Sequence, residues 1–121
     1  CKTIIEWNLA SDENQKPHTD GGCSSCLGAV TITDNSVLRN TAYYVIAHAS
    51  KFVAPGSIRI HSSSSSTLPN VSFLTPEEKI VTIVLNDSSN KINFNIILDG
   101  KDMHSSLKAG AVGTFIWDLN N

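Results

Sequence analysis

Long hydrophobic runs are missing from this 121-residue chain. No apolar stretch approaches the roughly 20 residues that carry a helix across a bilayer, so the sequence holds no transmembrane segment of that kind. An excess of charge is missing too: nine Lys and Arg stand against eleven Asp and Glu. The cations are dispersed from Lys2 to Lys108. Without a basic patch to neutralise phosphates, nucleic acid is excluded as a partner. The start, Cys1-Lys2-Thr3, has no initiator Met and no leader-like apolar core. The expectation is a piece of a longer protein, with any export signal in the preceding part. Cysteine is scarce as well. Three cannot all pair within one chain; Cys23 and Cys26 are near neighbours, and Cys1 is the odd one.

What is present divides into two stretches. Lys2 to Trp7 is compact, apolar and β-branched, like a buried strand, and ends on an aromatic residue. Residues 11 to 26 form a loop rich in Ser, Asp, Asn, Pro and Gly. Gly28 to Thr33 alternates as a second strand, and Asp34-Asn35-Ser36 turns. The period then changes. Asn40 is a suitable N-cap for a helix over Thr41 to Phe52, stopped by Pro55-Gly56. The middle of that helix is apolar almost all round, which predicts burial on more than one side, between two packed bodies.

From Ser57 the pattern is all β. Ser62 to Ser66 is a low-complexity serine run, read as a mobile surface loop. Pro76 to Lys79 reads as a hairpin turn, Ile80 to Leu85 as the strongest strand, and Ile92 to Leu98 as another. Asp99-Gly100 is a two-residue hairpin signal. Lys101 to Leu107 and Ala111 to Leu119 complete the set. Short strands at regular spacing predict a mainly β chain, an antiparallel β-sandwich over residues 57–121, preceded by strand, loop, strand and helix over residues 1–56. The first stretch has too few elements to make a layer of its own.

Several motifs keep one order along nearly the whole chain: Trp7-Asn8-Leu9-Ala10, Gly21-Gly22-Cys23, Ala42-Tyr43-Tyr44, His48 to Val53, Pro55-Gly56-Ser57, Val84-Leu85-Asn86 and the closing Gly110 to Trp117. Each is weak alone. Together they resemble the C-terminal end of glycoside hydrolase family 30, the glucosylceramidase-like family. The resemblance implies that residues up to about Trp7 are the last strand of a (β/α)8 barrel and residues 41 to 52 its last helix. Residues 1–56 would then be a barrel remnant, and the remainder the C-terminal sandwich. It also implies a retaining β-glycosidase acting on β-glucosides, glucosylceramide or β-1,6-glucan among them. The setting implied is carbohydrate or sphingolipid metabolism in a secreted, periplasmic or, in a eukaryote, lysosomal enzyme.

Retaining hydrolysis needs two carboxyl groups about 5 Å apart. By the resemblance both are glutamates on the fourth and seventh barrel strands, which this chain lacks, so the chain alone is expected to be inactive and to support the barrel. The resemblance makes Trp7 the substrate-binding residue, its indole stacking on the C–H face of a pyranose. Packing in the barrel top is the alternative. If Trp7 points into the barrel mouth, alternation turns Glu6 away. The loop after Trp7 would overhang the same pocket, although Gln15-Lys16-Pro17 departs from the Gly-Gly-Pro of many relatives. His18 in this loop is read as solvated.

Cys23-Ser24-Ser25-Cys26 has several readings. Zinc wants four ligands and no second pair is at hand. A thioredoxin-like site would put the first Cys at a helix start after a strand, whereas glycines precede it here and a strand follows. A disulfide bracing the loop of an exported protein and two free buried thiols remain. No metal or cofactor is implied. His48 is expected to satisfy a packing hydrogen bond, and Tyr43, Tyr44, Phe52 and Trp117 to be core. Asn70-Val71-Ser72 and Asn86-Asp87-Ser88 match glycosylation sequons. An autonomous carbohydrate-binding or adhesion module is the alternative function. It would need an exposed aromatic platform on the sandwich, and Phe73, Phe94, Phe115 and Trp117 are all expected to face inward.

Overall fold

A computed structural model describes residues 5–63 and 65–119. It divides into two compact units, one running to Ala47 and the other starting at His48.

The second unit is the sandwich. Its larger sheet holds β4 (Ile58–Ile60), β5 (Asn70–Leu74), β6 (Lys79–Leu85) and β9 (Val112–Asp118), in the order β4-β5-β6-β9 with every pair antiparallel. β7 (Ile92–Leu98) and β8 (Lys101–Leu107) form a separate antiparallel ribbon. Local chemistry sets both hairpins. Asp99 and Gly100 have φ of 48° and 78°, the pair of positive values that a tight two-residue turn needs to match strand twist. At the β5–β6 turn Thr75 N–H donates to Lys79 O at 2.8 Å, with Glu78 at φ 57°.

The core lies along β6, which is flanked on both sides. Ile80, Val81 and Val84 are buried, Val81 only 1% exposed. One face of the sheet carries the row Ile60, Ser72, Thr82, Phe115. Phe115 meets Phe94 of β7 edge to face at 5.7 Å, which joins ribbon to sheet. The hydroxyls of Ser72 and Thr82 pair at 2.8 Å, so neither stays unsatisfied in the interior. On the opposite face, His48 Nδ1 and Thr114 Oγ1 lie 2.8 Å apart. That is the packing hydrogen bond expected of His48.

Asn86 closes the unit. It is fully buried, and its Nδ2 reaches the carbonyl oxygens of Asn90, Leu107 and Lys108 at 2.7 to 3.0 Å. Its Oδ1 accepts from Ser88 N–H and Ser88 Oγ. One amide ties the end of β6 to its own turn and to the end of β8. The sequon at Asn86 is therefore engaged and sealed. Asn70 likewise donates to the carbonyls of Ser63 and Leu68, with Ser72 buried.

The first unit contains β1 (Ala10–Ser11), β2 (Val30–Ile32) and β3 (Val37–Arg39), in the order β1-β2-β3. β1 runs parallel to β2, and β3 antiparallel to it. α1 spans Thr41–Ser50, so the division between the units falls inside it.

Two expectations need correction here, and one omission needs filling. Of the strand read over Lys2 to Trp7, residues 2–4 lie outside the described residues, as does Cys1. Ile5, Glu6 and Trp7 are not in a strand, and Ile5 and Trp7 are exposed. A strand needs a partner to bond with, and the backbone bonding to Ala29 begins only at Asn8. Second, no residue of α1 is buried; Tyr44 and Val45 are 55% and 56% exposed, and Tyr44 is not core. An apolar helix face records what it would cover, and among the described residues that cover is not supplied. Third, β3 was not foreseen, because Val37-Leu38-Arg39 does not alternate and is a strand only through its pairing with β2.

Candidate functional site

The candidate site is built on the first unit, around Trp7. Its indole is 73% exposed and Glu6 beside it is exposed too. The backbone behind the indole is well tied. Ala29 N–H donates to Asn8 O at 3.0 Å and Val30 N–H to Leu9 O at 2.9 Å, and pairing then continues as Ala10↔Val30 and Ser11↔Thr31.

This parallel approach needs Gly28. A Cβ there would lie 2.8 Å from Ala10 C and from Ser11 N, closer than carbon atoms tolerate against backbone. Ser11 is buried, and its Oγ accepts from Gly28 N–H at 3.2 Å. Ala29 is the one buried hydrophobic residue of this unit among the described residues.

The loop after β1 opens with an Asp-centred turn. Asp12 Oδ1 accepts from the N–H groups of Asn14 and Lys16, each at 2.8 Å, and Asp12 N–H donates to Lys16 O at 2.8 Å. Gln15 at the tip has φ 61°, and the Lys16–Pro17 peptide is cis. His18 is exposed, as the sequence suggests. Cys23 and Cys26 are joined by a disulfide, with Cα atoms 5.5 Å apart. The pair therefore holds no metal and offers no free thiol. Among the described residues no group of three or more His, Cys, Asp or Glu side chains could hold a metal ion, and no helix is long and apolar enough to cross a membrane.

The second unit offers a different concavity. A cavity of about 220 Å³ separates the four-stranded sheet from the β7–β8 ribbon. Apolar side chains such as Ile80, Phe94 and Trp117 line it together with Ser65, Asn70 and Asn95, and among the described residues His61 is its only ionisable one. One imidazole among apolar and uncharged polar side chains supplies no acid and base pair. Phe73, Phe94, Phe115 and Trp117 are all half-buried, so none stands out as a flat platform for a sugar. Exposed aromatic surface of that kind is found at Trp7.

Residues 56–115 match the glycosyl hydrolase family 30 beta sandwich domain. This sandwich is a glycosyl hydrolase family 30 domain. The likeness runs beyond the matched residues. An endo-1,6-beta-D-glucanase, neg1, of Aspergillus fumigatus is 29% identical over 93% of this chain and 25% of its own length. The lysosomal acid glucosylceramidase of Mus musculus is 27% identical over 93% of this chain and 22% of its own. The solved endo-beta1,6-glucanase BT3312 superposes with a TM-score of 0.87 at 27% identity, covering 98% of this chain and 27% of that one. The chain thus spans about a quarter of the length of the curated relatives it matches. A family 30 sandwich accounts for the mainly antiparallel β fold.

Two contributors to the site escape sequence reasoning. Gly28 and Asn40 look like ordinary strand and cap residues, yet both shape the backbone that carries Trp7. A glycine opening an alternating strand was the available signal for the first. For Asn40 the cap is legible, but its side-chain partners lie 9 and 12 residues back.

Proposed function

We propose that this chain is the C-terminal part of a retaining β-glycosidase that cleaves β-linked glucosides, with β-1,6-linked glucan the preferred class. The likeness to two endo-β-1,6-glucanases over more than nine-tenths of the chain carries this reading. The likeness to a glucosylceramidase keeps glucosylceramide as the substrate to test beside it. In this reading residues 1–56 complete the barrel and residues 57–121 form the sandwich that braces it.

The division of labour follows from chemistry. Retaining hydrolysis uses one carboxyl group as acid and base and a second as nucleophile, about 5 Å apart. Both belong to the barrel portion outside this chain, which makes that portion an obligatory partner. Trp7 supplies a flat apolar face against the sugar ring; stacking excludes water and fixes the ring plane. Its exposure on a stem held by the Asn8 and Leu9 carbonyls supports that role. The loop from Ser11 to Cys26, braced by the Asp12 turn and the Cys23–Cys26 bridge, overhangs the sugar. The bridge suits an enzyme working in an oxidising compartment, outside the cell or in a lysosome.

The experiment is an assay of the full-length protein and of this chain against β-1,6-glucan and glucosylceramide. The full-length protein releases glucose or short oligosaccharides, faster from the glucan, and the chain alone does neither. Trp7→Ala in the full-length protein lowers kcat/KM by about tenfold, the equivalent of one lost stacking contact. Unchanged kinetics would remove Trp7 from the site.

A further inference from the structure

Trp7 lies outside every strand, so the direction of its indole is set by the backbone that follows. Asn8 and Leu9 give their carbonyl oxygens to the N–H groups of Ala29 and Val30. Ala29 is thus the first fixed point behind the indole. The bonds that fix Ala29 from its other side start at Asn40. Asn40 N–H donates to Ala29 O at 2.9 Å. Its side-chain amide donates to Gly28 O at 2.8 Å and to Thr31 Oγ1 at 3.0 Å. Its own carbonyl accepts from Tyr43 N–H at 3.0 Å, which seats the residue at the start of α1.

We propose that Asn40 is a positioning residue for Trp7, acting through Gly28, Ala29 and Asn8 to hold the indole at the angle that meets the sugar. The inference rests on Trp7 being a sugar contact. The site requires an amide. Both Nδ2 hydrogens are used, one on a carbonyl and one on a hydroxyl, and of the short polar side chains only Asn carries two such donors on one atom. Asn40 is half-buried, so water does not freely replace those donors. Without them β2 still pairs with β3 through Val30↔Arg39 and Thr31↔Leu38. The sheet and the backbone bond from Asn40 N–H to Ala29 O therefore survive, while Gly28 loses the partner of its carbonyl and passes that freedom through Ala29 to the indole. A misplacement of about 1 Å is enough to cost catalysis heavily.

The test is a double-mutant cycle on kcat/KM of the full-length protein with a β-1,6-linked gluco-oligosaccharide, using Trp7→Ala, Asn40→Ala and both together. Trp7→Ala is expected to cost about tenfold and Asn40→Ala about fivefold, mostly in KM, because stacking also holds the ground state. The double variant should be no worse than Trp7→Ala alone, since a misaimed side chain no longer matters once it is gone. A purely structural role would instead lower activity by the same factor in both backgrounds. Asn40→Asp keeps the shape and favours a helix start but has no hydrogens to donate to Gly28 O, so it should lose activity as Asn40→Ala does and serves where the alanine variant does not fold. A neutral Asn40→Asp, or full multiplication of the two effects, overturns the positioning role while leaving Trp7 in the site. Unchanged kinetics for Trp7→Ala overturn the sugar contact and this inference with it.

Discussion

The two units are held together by different means. The unit from His48 onward has seven-residue strands, a buried row along β6 and a sealed amide at Asn86. The unit up to Ala47 has strands of two or three residues and, among the described residues, one buried apolar side chain, Ala29. Its order comes from backbone bonds, the Asp12 turn, the Asn40 amide and a disulfide. It also exposes Ile5, Trp7, Leu9, Leu27, Ile32, Val37, Leu38, Tyr44 and Val45. A backbone that is specifically tied yet leaves that much apolar surface open is suited to being covered. The lesson is that a segment can specify its own shape without a core of its own; in the proposed function the barrel portion is what covers this unit's apolar surface.

The comparison breaks most easily at its strongest point. Asn86→Ala leaves three interior carbonyls without their donor and should cost about 3 kcal/mol or more. Urea unfolding followed through the half-buried Trp117 checks this; a loss under about 1 kcal/mol would mean that the second unit does not depend on that amide. Next comes Gly28→Val, whose side chain has no room against Ala10 and Ser11. It should open the β1–β2 pairing and speed amide exchange at Ala29 and Val30 by about tenfold or more, with the sandwich midpoint unmoved. A matching fall in that midpoint would show the two units to be one cooperative body. Ser72→Ala strands the Thr82 hydroxyl and should cost about 1 to 2 kcal/mol, while Ser72→Ala with Thr82→Val should recover part of it, because both polar groups then leave together.

The smallest effect concerns Lys79. The hydrogen bond that its ammonium donates to Glu77, and then the charges of Glu77 and Asp118, raise its pKa above the ordinary 10.5. A raised amine pKa favours the folded state below the unfolded value and loses that contribution as pH climbs through the folded one. Glu77→Gln should therefore leave stability at neutral pH unchanged within error, because the pair is exposed to solvent. It should lower the pKa of Lys79 in an NMR titration above pH 10. A shift in the opposite direction would refute the assignment.

Much of the second unit was legible because its signals are local. Turn residues sit where the hairpins form, alternation marks β7, and a nearly continuous β-branched run marks β6. Asn86 was not legible: its partners Leu107 and Lys108 are 21 and 22 residues away, and by sequence it is only a turn residue or a sequon. In the first unit, Asn40 and Pro55-Gly56 bracketed α1, whereas β3 depends wholly on β2 for its existence. The apolar character of Tyr44 and Val45 is plain in the sequence, but burial depends on a neighbour that hydropathy does not supply. Trp7 itself became interesting only through family resemblance; an exposed aromatic in a sequence looks no different from a buried one.

Amide hydrogen exchange, measured on this chain and on the full-length protein, tests the central claim most directly. The account predicts that in the isolated chain Ala29 and Val30 exchange at least about a hundredfold faster than the central amides of β6, as expected for a unit without its own core. In the full-length protein the gap should close. Equal protection of both units in the isolated chain, or a gap that persists in the full-length protein, would contradict it.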